Sequence, residues 1–137
     1  MGEYMRTLVV EDDITSRMIL VKILSHYSQC DTAENGHEAL DLFAGAIKQG
    51  QPYDMVFMDI MMPVMDGQSA LKKIREIESE QQVPIGQEVK AVMTTALSDT
   101  KNVTTAFFQG QADAYLSKPI SREKVEKALQ EIGVLEK

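Results

Sequence analysis

The chain has 137 residues, with 44% hydrophobic and 26% charged side chains, a composition that supplies a core for one domain and excludes wholesale disorder. Its formal charge is −7, from 21 acidic against 14 basic residues, which argues against a phosphate-backbone binder of nucleic acid. A lone cysteine, Cys30, rules out an intramolecular disulfide, and no apolar stretch approaches the roughly 20 residues of a membrane span, so a soluble, cytoplasmic chain is expected.

In chain order, "RTLVV" (6–10) reads as a short buried strand ending at the acidic run "EDD". The next segment is helix-periodic and places Ile14, Met18, Val21 and Leu24 on one apolar stripe. "QCDTA" (29–33) forms a second strand. A second helix opens at Asn35-Gly36 and turns Ala39, Leu40, Phe43 and Ile47 to one side. "DMVFM" (54–58) is apolar at successive positions, as strands of parallel sheets are when both faces are covered. A third helix over 69–80 directs Leu71, Ile74 and Ile77 inward and its charges outward. "EVKAVMTTA" (88–96) supplies a fourth strand, and 99–110 a helix ending at Gly110. "DAYLS" (113–117) is the fifth strand. A last helix follows a Ser121 cap.

Strict strand–helix alternation predicts an α/β fold with a parallel sheet and helices on both faces, closed by right-handed crossovers. No repeat, low-complexity tract or linker interrupts it, so residues 1–137 are expected to form one domain.

In such sheets ligands bind beyond the carboxyl ends of the strands. Those ends carry Glu11, Asp12 and Asp13 on the first strand, Asp59 on the third, Thr94 and Thr95 on the fourth, and Lys118 on the fifth. Clustered carboxylates favour a hard cation, Mg²⁺ or Mn²⁺. A lysine facing them suggests an anion shared by metal and ammonium, with phosphate the natural candidate. Asp59 could then be a phosphoryl acceptor. Each residue also has an ordinary role open to it. An acid after a strand can cap the next helix, a lysine before proline can be solvated, and a threonine can simply favour a strand.

Taken together, "LVVEDD" (8–13), "MDIMMPVMDG" (58–67), "MTTA" (93–96) and "AYLSKP" (114–119) resemble the receiver domain of two-component response regulators, stand-alone chemotaxis regulators included. The resemblance spans almost the whole chain. It implies a flavodoxin-like (βα)5 fold with strand order 2-1-3-4-5, an order that general accounts of doubly wound sheets illustrate with a protein of this family.

The resemblance further implies that Asp59 takes a phosphoryl group from a histidine kinase or phosphotransfer protein. It makes Glu11, Asp12, Asp59 and the backbone carbonyl of Met61 the metal ligands. Spacing to Arg17 within the family pattern leaves Asp13 outside. Lys118 contacts the phosphoryl oxygens, Thr95 is the switch hydroxyl and Tyr115 the switch aromatic, and the Lys118-Pro119 bond is expected to be cis. The output would be a protein-binding face including Val103, Phe107 and Phe108, on a monomer or a phosphorylation-dependent dimer, with the downstream target unspecified.

The chain departs from the family pattern in "AGAIKQGQPYD", in "EQQVPIGQEVK", in one extra residue before Tyr115, and in Leu97, where an apolar side chain is expected to slow hydrolysis of the phosphoryl group. The alternative is a receiver-like binding module working without phosphorylation. A hydrolase with an aspartyl nucleophile would want a second acid where Met61 stands, and a flavin protein would not place "EDDITSR" against a cofactor phosphate. Apart from its own phosphoryl transfer and autodephosphorylation, no enzyme activity is expected.

Overall fold

Each helix among the described residues begins on a side-chain cap. Asp13, Asn35, Asp66 and Ser121 each accept a hydrogen bond from the backbone N–H three residues on, at 2.8, 2.9, 2.8 and 3.2 Å respectively. The computed structural model describes residues 5–96 and 112–135. Its elements run β1 (Met5–Val10), α1 (Ile14–Leu24), β2 (Ser28–Ala33), α2 (Gly36–Lys48), β3 (Met55–Asp59), α3 (Gly67–Glu80), β4 (Lys90–Thr95), β5 (Ala114–Ser117) and α4 (Arg122–Glu131). The helix expected over 99–110, with Leu97, Val103, Phe107, Phe108 and Gly110, lies outside the described residues.

All strand pairs are parallel, in the order β2-β1-β3-β4-β5. The doubly wound architecture follows as anticipated. Side chains alternate across the sheet and build two cores. Leu8, Val10, Val56, Met58, Ala91 and Met93 face α2 and α3. Val9, Met55, Phe57, Val92, Ala114 and Leu116 face α1 and α4. Two side-chain bonds tie the turn after α1 to α4: Tyr27 Oη donates to Glu126 Oε2 at 2.8 Å, and Arg122 Nη2 meets His26 Nε2 at 3.2 Å.

The structure corrects two expectations about the helices. On α1 the buried residues are Leu20, Ile23 and Leu24, with Val21 partly buried, while Ile14 and Met18 are 62% and 66% exposed. Apolar side chains surround this helix on nearly every side, so periodicity alone could not choose its inner face.

On α3, Glu78 is buried rather than turned outward. Its Oε2 accepts the Val89 N–H at 2.6 Å and its Oε1 pairs with Arg75 at 2.8 Å. Arg75 also donates to the Val89 carbonyl at 2.8 Å and reaches Asp113 at 3.4 Å. The Val89 N–H is therefore taken by a side chain, and β4 begins at Lys90 rather than at residue 88.

Candidate phosphoacceptor site

The carboxyl ends of β1, β3 and β5 deliver the charged groups. Glu11 directly follows β1; its N–H continues the ladder to the Ala33 carbonyl at 3.0 Å. That bond fixes the backbone and turns the side chain into the interior, where Glu11 is buried. Arg17 donates to the Glu11 carbonyl at 2.8 Å and thereby anchors α1 beneath the acidic loop. Asp12 projects to solvent, whereas Asp13 is spent on the α1 cap, and that contact with Ser16 holds its carboxyl below the usual value.

Asp59 is the last residue of β3 and is 5% exposed. The following N–H, of Ile60, bonds the Thr94 carbonyl at 3.0 Å, and the Met61 N–H donates to Asp59 Oδ1 at 3.1 Å. The loop to α3 turns at Val64, whose φ of +73° is left-handed and unusual for a β-branched residue. It closes where the Gly67 N–H meets the Ile60 carbonyl at 2.8 Å. A Cβ on Gly67 would lie 2.3 Å from the Asp59 carbonyl oxygen, so only glycine lets α3 start this close to the strand.

Lys118 follows β5, its N–H bonded to the Thr95 carbonyl at 2.7 Å, and the Lys118-Pro119 peptide is cis. Lys124 on α4 steadies this loop by donating to the carbonyls of Ser117 and Pro119, each at 3.1 Å. The Lys118 ammonium crosses to the acids and stands 3.0 Å from both Glu11 Oε1 and Asp59 Oδ2.

Carboxylate oxygens of Glu11, Asp12 and Asp59 all lie within 4.8 Å of one another. Burial, then the proximity of Asp59, pushes the Glu11 carboxyl up to about 7, against the pull of Lys118. Burial alone would lower the Lys118 ammonium, but its contacts with Glu11 and Asp59 outweigh that and raise it. Three acids faced by one ammonium hold an excess of negative charge. Their hard oxygen donors suit an oxygen-loving divalent cation.

Thr95 and Tyr115 occupy the other side of the sheet. Thr95 ends β4, one step past the Asp59–Thr94 register pair, with its Oγ1 3.2 Å from the Ala96 carbonyl. Tyr115 is paired with Met93 and packs against the α2–α3 core. Thus Glu11, Asp12, Asp59 and Lys118 converge, while Thr95 and Tyr115 share the α2–α3 face. The anchoring roles of Arg17 and Lys124 were not visible in the sequence, because their partners are backbone carbonyls that leave no trace in residue type.

The open parallel α/β sheet has flavodoxin-like topology, with acids from two strand ends and a lysine from a third gathered at its carboxyl edge. Residues 7–130 match the model of the response regulator receiver domain, and the chain belongs to that family. It is 33% identical over 135 residues to probable histidine kinase 2 of Oryza sativa, covering 91% of this chain but only 12% of the kinase, so it spans about an eighth of that relative.

Among solved structures it is similar to the CheX-CheY-BeF3-Mg²⁺ complex from Borrelia burgdorferi, with TM-score 0.78, 27% identity, and coverage of 96% of this chain and 90% of that one. It is also similar to the complex of the Saccharomyces cerevisiae histidine phosphotransfer protein Ypd1 with the receiver domain of Ssk1. There the TM-score is 0.74 and identity 27%, with coverage of 93% and 87%. The chain is therefore a receiver domain of two-component phosphorelay signalling, a class of signalling modules rather than metabolic enzymes. No helix among the described residues is long and apolar enough to cross a membrane.

Proposed function

We propose that this receiver domain is a phosphorylation-dependent switch in which Asp59 accepts a phosphoryl group from a phosphohistidine on a histidine kinase or phosphotransfer protein. The observation that carries this reading is the convergence of Glu11, Asp12 and Lys118 on one buried carboxylate. An Asp59 carboxylate oxygen forms a bond to phosphorus as the N–P bond of the phosphohistidine breaks and the imidazole leaves. Such transfer needs positioning and charge neutralisation more than covalent help from the protein.

Glu11, Asp12, Asp59 and the Met61 carbonyl would hold Mg²⁺ or Mn²⁺, which supplies Lewis-acid neutralisation of the phosphoryl oxygens when bound. Lys118 swings from its carboxylate partners to a phosphoryl oxygen. Thr95 then turns its hydroxyl toward the modified Asp59, and Tyr115, on the same face of the sheet, takes up the space released. The protein-binding face beside β5 and α4 changes with them.

The docking partner is supported by exposure. Of six large apolar side chains standing in solvent among the described residues, Ile14, Met18 and Ile19 lie on α1, and Met61 and Val64 lie in the β3–α3 loop. Both segments directly follow the acidic motifs. An apolar rim around a charged mouth fits a phosphohistidine presented on a protein surface rather than a free metabolite. A small phosphodonor with Mg²⁺ tests the reading. Mass spectrometry should find one added phosphoryl group on the wild type and none on Asp59→Asn; equal labelling of the two would refute Asp59 as acceptor.

A further inference from the structure

The Thr94 hydroxyl is fully buried, and its Oγ1 has no hydrogen-bond partner among the described residues. A buried polar atom left unpaired is costly, and a valine of the same shape would avoid that cost. Its position is specific. Thr94 is the register partner of Asp59, about 4.8 Å away across one strand spacing. By alternation it faces the side of Val92, which is the α1–α4 side that Phe57 and Asp59 also face.

Strand β4 lies between β3 and β5. To reach Asp59 Oδ2 at 3.0 Å, Lys118 must cross the end of β4. An ammonium has three protons; one is donated to Asp59 Oδ2 at 3.0 Å, while Glu11 Oε1 stands at the same distance as an ion-pair contact.

We infer that Thr94 is a positioning residue for Lys118: its Oγ1 receives an ammonium proton once Glu11 and Asp59 turn their oxygens to a divalent cation. In the metal-free arrangement Lys118 occupies the oxygens that a cation needs. Releasing them leaves the partly exposed ammonium to water on its outer side, and Thr94, on the same face at the end of β4, is placed to take an inner proton. This rests on the phosphoacceptor reading for its purpose, though not for its measurement.

Thr94→Val and Thr94→Ser, with the wild type, are titrated with Mg²⁺ by calorimetry, melted without metal, and assayed for phosphoryl uptake. Thr94→Val should weaken Mg²⁺ binding roughly tenfold, the worth of one hydrogen bond to a charged group. It should slow uptake at saturating Mg²⁺, yet melt at or above the wild-type temperature. Thr94→Ser should restore both binding and uptake. Wild-type Mg²⁺ affinity in Thr94→Val, or a Thr94→Ser as impaired as the valine, overturns the inference. A wild type that binds Mg²⁺ but takes no phosphoryl group overturns the functional reading instead, and the Mg²⁺ titration still judges Thr94 by itself.

Discussion

Lys118 Nζ and Glu11 Oε1 are 3.0 Å apart, joining the end of β5 to the end of β1 across the two strands that separate them in the sheet. The same ammonium neutralises Asp59. Lys118→Met should therefore destabilise the metal-free chain by about 2 kcal/mol. That is below the roughly 3–5 kcal/mol for a fully buried pair, because the Lys118 side chain keeps 26% exposure. Saturating Mg²⁺ should recover most of the loss, so the metal-induced rise in melting temperature should be larger in the variant than in the wild type. An equal rise in both would show that lysine and cation do not share these oxygens.

Glu11 sets a pH dependence. Its folded value of about 7 stands above the ordinary 4.5, so between those pH values the folded chain keeps a proton that the unfolded chain has released. The stability contributed by this group is whole below pH 4.5 and lost as pH rises through 7. Metal-free melts should show that decline, and Glu11→Gln should flatten it. Mg²⁺ affinity should run the other way and rise with pH up to about 7, since the cation displaces the proton.

Gly67→Ala should cost roughly 2–3 kcal/mol by overpacking, and should impair phosphoryl uptake out of proportion to that cost. The added methyl would push on the Asp59 carbonyl itself. Denaturant melts paired with uptake rates would separate the two effects; normal uptake in a destabilised variant would argue that the strand end tolerates displacement.

Val64→Gly should stabilise the chain. Relief of a left-handed β-branched residue is worth about 1–2 kcal/mol, and the greater freedom of the unfolded glycine chain takes back part, leaving about 0.5–1 kcal/mol. Because Val64 is 87% exposed, no packing is lost. The same variant should bind a phosphotransfer partner more weakly if the apolar rim is its landing surface, which a binding titration would show.

Glu78→Ala provides the opposite dissociation. It leaves the Val89 N–H and Arg75 without their buried carboxylate and should cost roughly 2–3 kcal/mol. Phosphoryl uptake by the protein that remains folded should be unchanged, since this network sits at the amino ends of β4 and β5.

These cases show what the sequence made legible. Asp59 stood out because a carboxylate closing an apolar run needs a reason, and the same logic exposed Lys118. Asp13 could not be separated from Asp12 by residue chemistry, because capping and metal binding ask for the same side chain; the family spacing to Arg17 set it aside, and the contact with Ser16 gives the physical reason. Glu78 was unreadable, since its partner is the backbone of Val89, 11 residues away. Thr94 looked redundant beside Thr95 until the register placed it opposite Asp59. The inner face of α1 depended on helix α4, more than 90 residues downstream in the chain.

That last dependence bears on how the molecule is made. Among the described residues, the last fully buried side chain between the sheet and α2–α3 is Met93, whereas the side chains between the sheet and α1 are not complete until Leu129 and Ile132. During vectorial translation Leu20, Ile23 and Leu24 wait for the last helix to leave the ribosome. A nascent chain paused in that interval would show chaperones a greasy helix, so synthesis rate and holdase supply, rather than native stability, should govern yield.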